Sequence, residues 1–228
     1  MNWILDNLGL IGALSLDHLR QSIIPILLGF VISLPLGWLA WRYRGVRAVL
    51  LTGTGLLYTI PSLALLVLLP PLFGLSILSE LNLIITLTIY AIALMVRAVA
   101  DGLASVDPDV RLAATAMGFG APRRLWGVDL PLAGPVILAG LRVTAASTIA
   151  LATVGILVGV TNLGYLFTNG LQRRIIPEVL AGLLAVVVIA LVVDLLLVLA
   201  GRLLMPWTRS IRSRARLAPV GLDVGARA

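Results

Sequence analysis

Apolar residues in this chain come in runs of about twenty, separated by short stretches where charge, proline and glycine collect. Runs of that length predict membrane spans. Five are expected, at about 21–41, 47–69, 79–99, 132–158 and 177–204. The fold class that follows is all-α and polytopic, with a transmembrane core over 20–206. Residues 1–19 carry Asp6, Asp17 and His18 and are expected to form a retained interfacial helix, with His18 at the surface. Residues 207–228 form a basic, turn-rich tail.

Details within the spans add expectations. Ser33 and Gly37 make a small-x-x-x-small pair for close helix approach, and Gly155 and Gly159 make another. Thr144, Ser147 and Thr148 share one face of the fourth span. Pro61, after Tyr58, Thr59 and Ile60, is the expected break of the second span. It fits either a substrate path or an ordinary kink. Pro70, Pro71 and Gly74 then predict a turn. The third span ends with Arg97 and Asp101 one helical turn apart, and an irregular loop with Asn162, Gly164, Arg173 and Arg174 leads to the fifth.

Composition removes the soluble alternative. Of 228 residues, 60% are apolar and 12% charged, and the mean hydropathy is +1.10, too little charge to cover a soluble core. There is no cysteine, and a lone histidine makes no metal site, so no metal or cofactor is expected. All 17 basic residues are arginine, and they sit between and after the apolar runs. Their positions therefore report topology rather than a nucleic-acid partner. Thirteen fall in the 42–47 loop, the 97–131 segment and the C-terminal tail. Three, Arg20, Arg173 and Arg174, fall on the opposite side. The bias puts the N-terminus outside and the 97–131 segment in the cytoplasm.

Arg142 and Asp194 lie inside spans, each ten residues from a cytoplasmic end, so roughly 15 Å deep at 1.5 Å per residue. Charges at equal depth predict a pair between the fourth and fifth spans; the alternative is that one faces a substrate path.

The longest charged interruption, 107–131, has its own helical grammar. Asp107 suits an N-cap, Pro108 the first helical position, and Asp109 the positive end of the helix. Val110, Ala113, Ala114 and Met117 follow at i, i+3, i+4, i+7, and Gly118 suits a left-handed stop. Pro122 starts a second helix through Arg123, Arg124, Leu125 and Trp126, expected to stop before Pro131. The small-residue stripe fits a partner's groove or the chain's own spans.

This segment resembles the cytoplasmic signature loop of binding-protein-dependent ABC importer permeases. Ala113, Ala114, Gly118, Val128, Leu130 and Pro131 fall in its register, and Leu112 stands where that family has glutamate. Y-T-I-P-S-L-A-L-L, L-P-L-A-G-P-V-I-L-A-G-L-R and N-L-G-Y-L-F-T-N-G-L resemble the osmoprotectant branch, whose cargoes are glycine betaine, carnitine and choline. The resemblance implies a type I importer permease fold in a bacterial inner membrane. It makes 107–131 a coupling loop, with Val110, Ala113, Ala114, Met117, Gly118, Phe119 and Arg123 against a cytoplasmic ATPase. It implies a second permease subunit and an exported solute-binding protein as partners, with membrane lipid around them. ATP chemistry would lie on the ATPase, and this sequence has no G-x-x-x-x-G-K-[ST] loop. Competing expectations are another cargo such as methionine, an ion-coupled secondary carrier, or a membrane scaffold.

Overall fold

The computed structural model describes residues 2–208, and every regular element in that range is helical. In order these are α1 (Asn2–Asp6), α2 (Leu8–Arg42), α3 (Arg44–Thr59), α4 (Ser62–Phe73), α5 (Glu80–Ala104), α6 (Pro108–Ala116), α7 (Ala121–Arg124), α8 (Leu130–Ala152), α9 (Gly164–Gln172) and α10 (Ile176–Leu204). A π turn, Leu125–Asp129, joins α7 to α8, and a 3-10 turn, Thr153–Val158, ends α8. Four stretches are long and apolar enough to cross a membrane, and the bent pair α3 and α4 makes up to a fifth. The basic tail from residue 209 onward lies outside the described residues.

Helix α5 is the hub, packed on α2, α3, α4 and α8, while α10 lies at the periphery with most of its surface outward. In lipid there is no hydrophobic drive between helices, so close backbone approach takes its place. On α2, Gly29 faces Ala91, and a Cβ at Gly37 would lie 2.5 Å from the Cβ of Val99. Ser33, between them, is fully buried. On α8, Gly140 sits against Ala98 in the same way. Met95, Val99, Leu103, Val106, Ala133 and Ile137 fill the space around these contacts.

Several sequence expectations change. Helix α2 runs unbroken through residues 8–42, so no boundary falls near residue 19. Its length, about 52 Å, exceeds a hydrocarbon core of about 30 Å, so the helix projects beyond it. His18 is buried rather than at the surface: its Nε2 donates to the Ile149 carbonyl at 3.1 Å, and Ser22 Oγ donates to the His18 carbonyl. That polar contact lets an interrupted hydropathy pattern continue as one packed helix.

The second span is two helices bent by 107° at Ile60 and Pro61. Pro61 has no N–H to donate to Leu57, and the Ile60 N–H takes that carbonyl instead at 3.3 Å. The Tyr90 hydroxyl donates to the Ile60 carbonyl exposed by the break. Pro70 and Pro71 do not turn the chain; they lie in the last turn of α4, and the turn is made by Gly74 at φ +65°. Pro70 leaves the Leu66 carbonyl without its helical donor, and Asn82 Nδ2 supplies one at 2.9 Å. A side chain of α5 thus repairs a backbone gap in α4.

The remaining changes are local. Asp101, at the end of the third span, pairs with Arg47 of α3 at 2.9 Å. The loop before the fifth span contains a helix, α9. It is held by Asn162, whose Oδ1 accepts from the Gly164 N–H and whose Nδ2 donates to the Ala152 carbonyl and to Gln21. Gly155 and Gly159 both approach α5's end of the bundle, Gly155 against Leu83 and Gly159 against Leu78, but from a 3-10 turn and its left-handed end rather than a helix face.

Candidate functional site

The helix–glycine–helix segment is built by local chemistry first. Asp107 Oδ1 accepts from the Asp109 N–H at 2.8 Å, and Pro108 occupies the first helical position of α6. At the other end Gly118 has φ +85°. The Phe119 N–H bonds back to the Ala114 carbonyl at 3.1 Å and the Gly118 N–H to Thr115 at 3.0 Å. That pair of bonds is a Schellman stop, which needs a left-handed residue at Gly118. The Arg123 guanidinium then lies 4.9 Å over the Phe119 ring, fixing the start of α7.

The second helix does not stop before Pro131. From Ala121 the chain stays helical to Val158, passing through the π turn into α8. In the π turn the Leu130 N–H bonds to the Leu125 carbonyl, five residues back. Widening the turn gives Pro131, which lacks an N–H and would crowd a tight ladder, a place in a continuous helix. The segment from Ala121 onward is therefore the first part of the long helix that contains α8, while α6 lies across the Gly118 bend from it.

One carboxylate closes the segment. Asp129, in the π turn and 1% exposed, accepts from Arg111 Nε of α6 at 3.0 Å and faces Arg124 Nε of α7 at 3.4 Å. Arg124 also donates to Thr115 Oγ1 at 3.0 Å. Arg111 donates in addition to the Leu103 carbonyl at the end of α5, and its guanidinium lies 4.8 Å over the Trp41 ring of α2. Arg111 thus ties α6 to α2, α5 and α8 at one point.

Of the residues singled out in the sequence, Ala114 is buried against the chain itself, so one of the four residues of the predicted stripe belongs to the internal packing of the loop. Val110, Ala113 and Met117 face outward, with Met117 72% exposed. Leu112 is also outward at 67%. Gly118, Phe119 and Arg123 sit together at the bend, and Pro61 lies at the break of the second span. Beside that break Tyr58 meets Tyr90 edge-on at 5.8 Å, and its hydroxyl is 3.3 Å from Ser147 Oγ of α8. Arg142 and Asp194 form a two-pronged pair between α8 and α10, with Nε to Oδ1 at 2.6 Å and Nη2 to Oδ2 at 2.8 Å.

Sequence reasoning passed over Asp129, Arg111 and Arg124 as a unit. The one signal available was spacing: Arg124 and Asp129 are five apart, the period of a π turn and not of an α-helix.

The family model for a "binding-protein-dependent transport system inner membrane component" matches residues 29–210, most of the chain. The chain belongs to that family. Among curated members, this permease component is 32% identical over 199 residues to the osmoprotectant import permease protein OsmW of Salmonella typhimurium, covering 86% of this chain and 93% of the relative. It is 28% identical to the choline transport system permease protein OpuBB of Bacillus subtilis, covering 83% and 86%. It is 32% identical to the carnitine transport permease protein OpuCB of Listeria monocytogenes, covering 78% and 80%. Among solved structures, a chain of the inward-facing MetNI methionine ABC transporter superposes with a TM-score of 0.72 at 22% identity, covering 82% of this chain and 93% of that one. The fold is that of a type I importer permease, a multi-pass inner membrane protein.

Proposed function

We propose that this permease forms the translocation path for a small quaternary ammonium osmoprotectant such as glycine betaine, choline or carnitine. Transport is driven by ATP hydrolysed on a separate cytoplasmic ATPase, and the chain itself carries out no covalent chemistry. A second permease subunit completes the path, and an exported solute-binding protein delivers the cargo. The cargo class rests on the osmoprotectant, choline and carnitine permeases among the relatives. Methionine has only a shared fold behind it.

The observation that carries the coupling role is the continuous helix over Ala121–Val158, to which α6 is clamped. A helix docked on a moving partner transmits motion only if it is stiffly joined to a span. Here α6 is locked by Asp129 to the helix that becomes α8. Val110, Ala113, Met117, Gly118, Phe119 and Arg123 provide the face toward the ATPase, and Ala114 seats α6 on its own bundle. Leu112 offers that ATPase an apolar contact in place of a carboxylate. The Pro61 break and Tyr58, linked to Ser147, border the path, and Arg142–Asp194 staples α10 to α8.

Uptake by the reconstituted complex, with and without ATP, against a panel of betaines and amino acids tests this reading. ATP-stimulated uptake of a quaternary ammonium solute is expected. Uptake indifferent to ATP would end the importer reading, and preference for an amino acid would replace the cargo.

A further inference from the structure

A cavity of about 510 Å³ opens between the cytoplasmic end of α2 and the α7–π-turn segment. Its walls are mainly apolar and include Leu34 and three indoles, Trp38, Trp41 and Trp126. Trp126 is 70% exposed, an unusual state for a large ring unless something covers it. Arg42 and Arg124 line the same cavity. Asp129 also lines it, but its charge is taken up by Arg111 and Arg124. Arg42 stacks on Tyr43 at 5.7 Å and pairs with no carboxylate among the described residues. Among the lining residues Arg42 and Arg124 outnumber Asp129 by one positive charge, and Arg111, beside the cavity, adds a second cation to Asp129. Tryptophan beside arginine at a helix end marks the depth where acyl chains give way to headgroups.

We infer that this cavity is a binding site for an acidic phospholipid of the cytoplasmic leaflet. An acyl chain lies in the Trp38–Trp41–Trp126 cleft, and the phosphate meets Arg42 and Arg124. The chemistry selects against the alternatives. A free anion leaves the apolar cleft empty, and a zwitterionic lipid places a cationic group beside the arginines. The walls belong to α2 and to the coupling segment, so an occupant sets their separation and props the base of the 107–131 unit.

The test uses the complete complex of permease and ATPase. Native mass spectrometry after delipidation and incubation with defined lipid measures retention of phosphatidylglycerol against phosphatidylcholine. The wild type is expected to retain phosphatidylglycerol selectively. Arg42→Gln removes one of the two charged contacts and is expected to lower that selectivity about fivefold. Leu34→Trp fills the cleft and is expected to abolish retention with the charges intact. A soluble glycerophosphate arm separates headgroup from whole lipid: it should not compete at concentrations where lipid saturates. Equal retention of both lipids, or phosphatidylglycerol retention unchanged in both variants, overturns the proposal. So does displacement of lipid by a bound segment of the ATPase. The proposal rests on the importer reading only for its consequence in coupling; retention is measured without cargo or ATP, so failure of either can be told from failure of the other.

Discussion

Arg111 and Asp129 meet across the Gly118 bend, eighteen residues apart in sequence and 3.0 Å apart in space. The pair decides how the coupling segment behaves mechanically. Without it α6 keeps Ala114, the Arg111 contacts to Leu103 and Trp41 and the Arg124–Thr115 hydrogen bond, but loses its ion pair to the π turn; with it α6 moves as part of α8.

Asp129→Asn keeps the shape and removes the charge that two arginines share. Stripping one partner from a buried pair costs about 3 kcal/mol, and here the cost falls on the loop rather than on the spans. ATP-driven uptake is expected to fall severalfold while membrane insertion stays normal. Hydrogen exchange should quicken in α6 and remain slow in α5; unchanged exchange in α6 would remove the clamp.

Gly118 has open space around it and φ +85°, so substitutions there meet backbone strain and no clash. Activity should therefore follow left-handed tolerance: glycine, then Gly118→Asn, Gly118→Ala and Gly118→Val. The alanine step costs about 1 kcal/mol and valine more. Gly118→Asp carries strain close to that of asparagine and adds a negative charge beside the docking face, and it should insert normally and couple poorly. Uptake assays across the series check the order, and a ranking by side-chain size alone would refute it.

At Gly37 the limit is contact. A methyl group there would lie 2.5 Å from the Val99 Cβ, so Gly37→Ala should part α2 from α5 and cost about 1–3 kcal/mol. Gly12, in the same helix with nothing within 4 Å, should gain up to about 1 kcal/mol as Gly12→Ala. Thermal melting of the purified complex should separate the two by sign.

The Arg142–Asp194 pair predicts a cycle. Arg142→Leu and Asp194→Leu each strand a charge at membrane depth and should lower the melting temperature, while the double substitution should recover most of the loss. Additive losses would show that the two charges serve separate purposes.

What could be read from the chain follows from the range of the interactions involved. The Asp107 cap, Pro108 and the Gly118 stop act within a few residues, so α6 was legible nearly to its ends. The apolar runs located the spans for the same reason. The 107° angle at Pro61, the burial of His18 and the repair of Pro70 by Asn82 depend on neighbours far away in sequence. Hydropathy has no access to them. Pro131 misled because a proline reads as a stop, whereas one widened turn admits it.

That widened turn also sets the phase of α8. A π turn takes up about one residue more than an α turn, and one residue of α-helix is about 100° of rotation. If Leu125–Asp129 tightened to α geometry, everything beyond it would swing by about that angle, carrying Arg142 away from Asp194 and Ser147 away from Tyr58. The five residues act as a screw thread between loop and membrane: tightening them with every residue kept would turn α8 to the wrong face, whereas deleting one of them as the turn closes would restore its register.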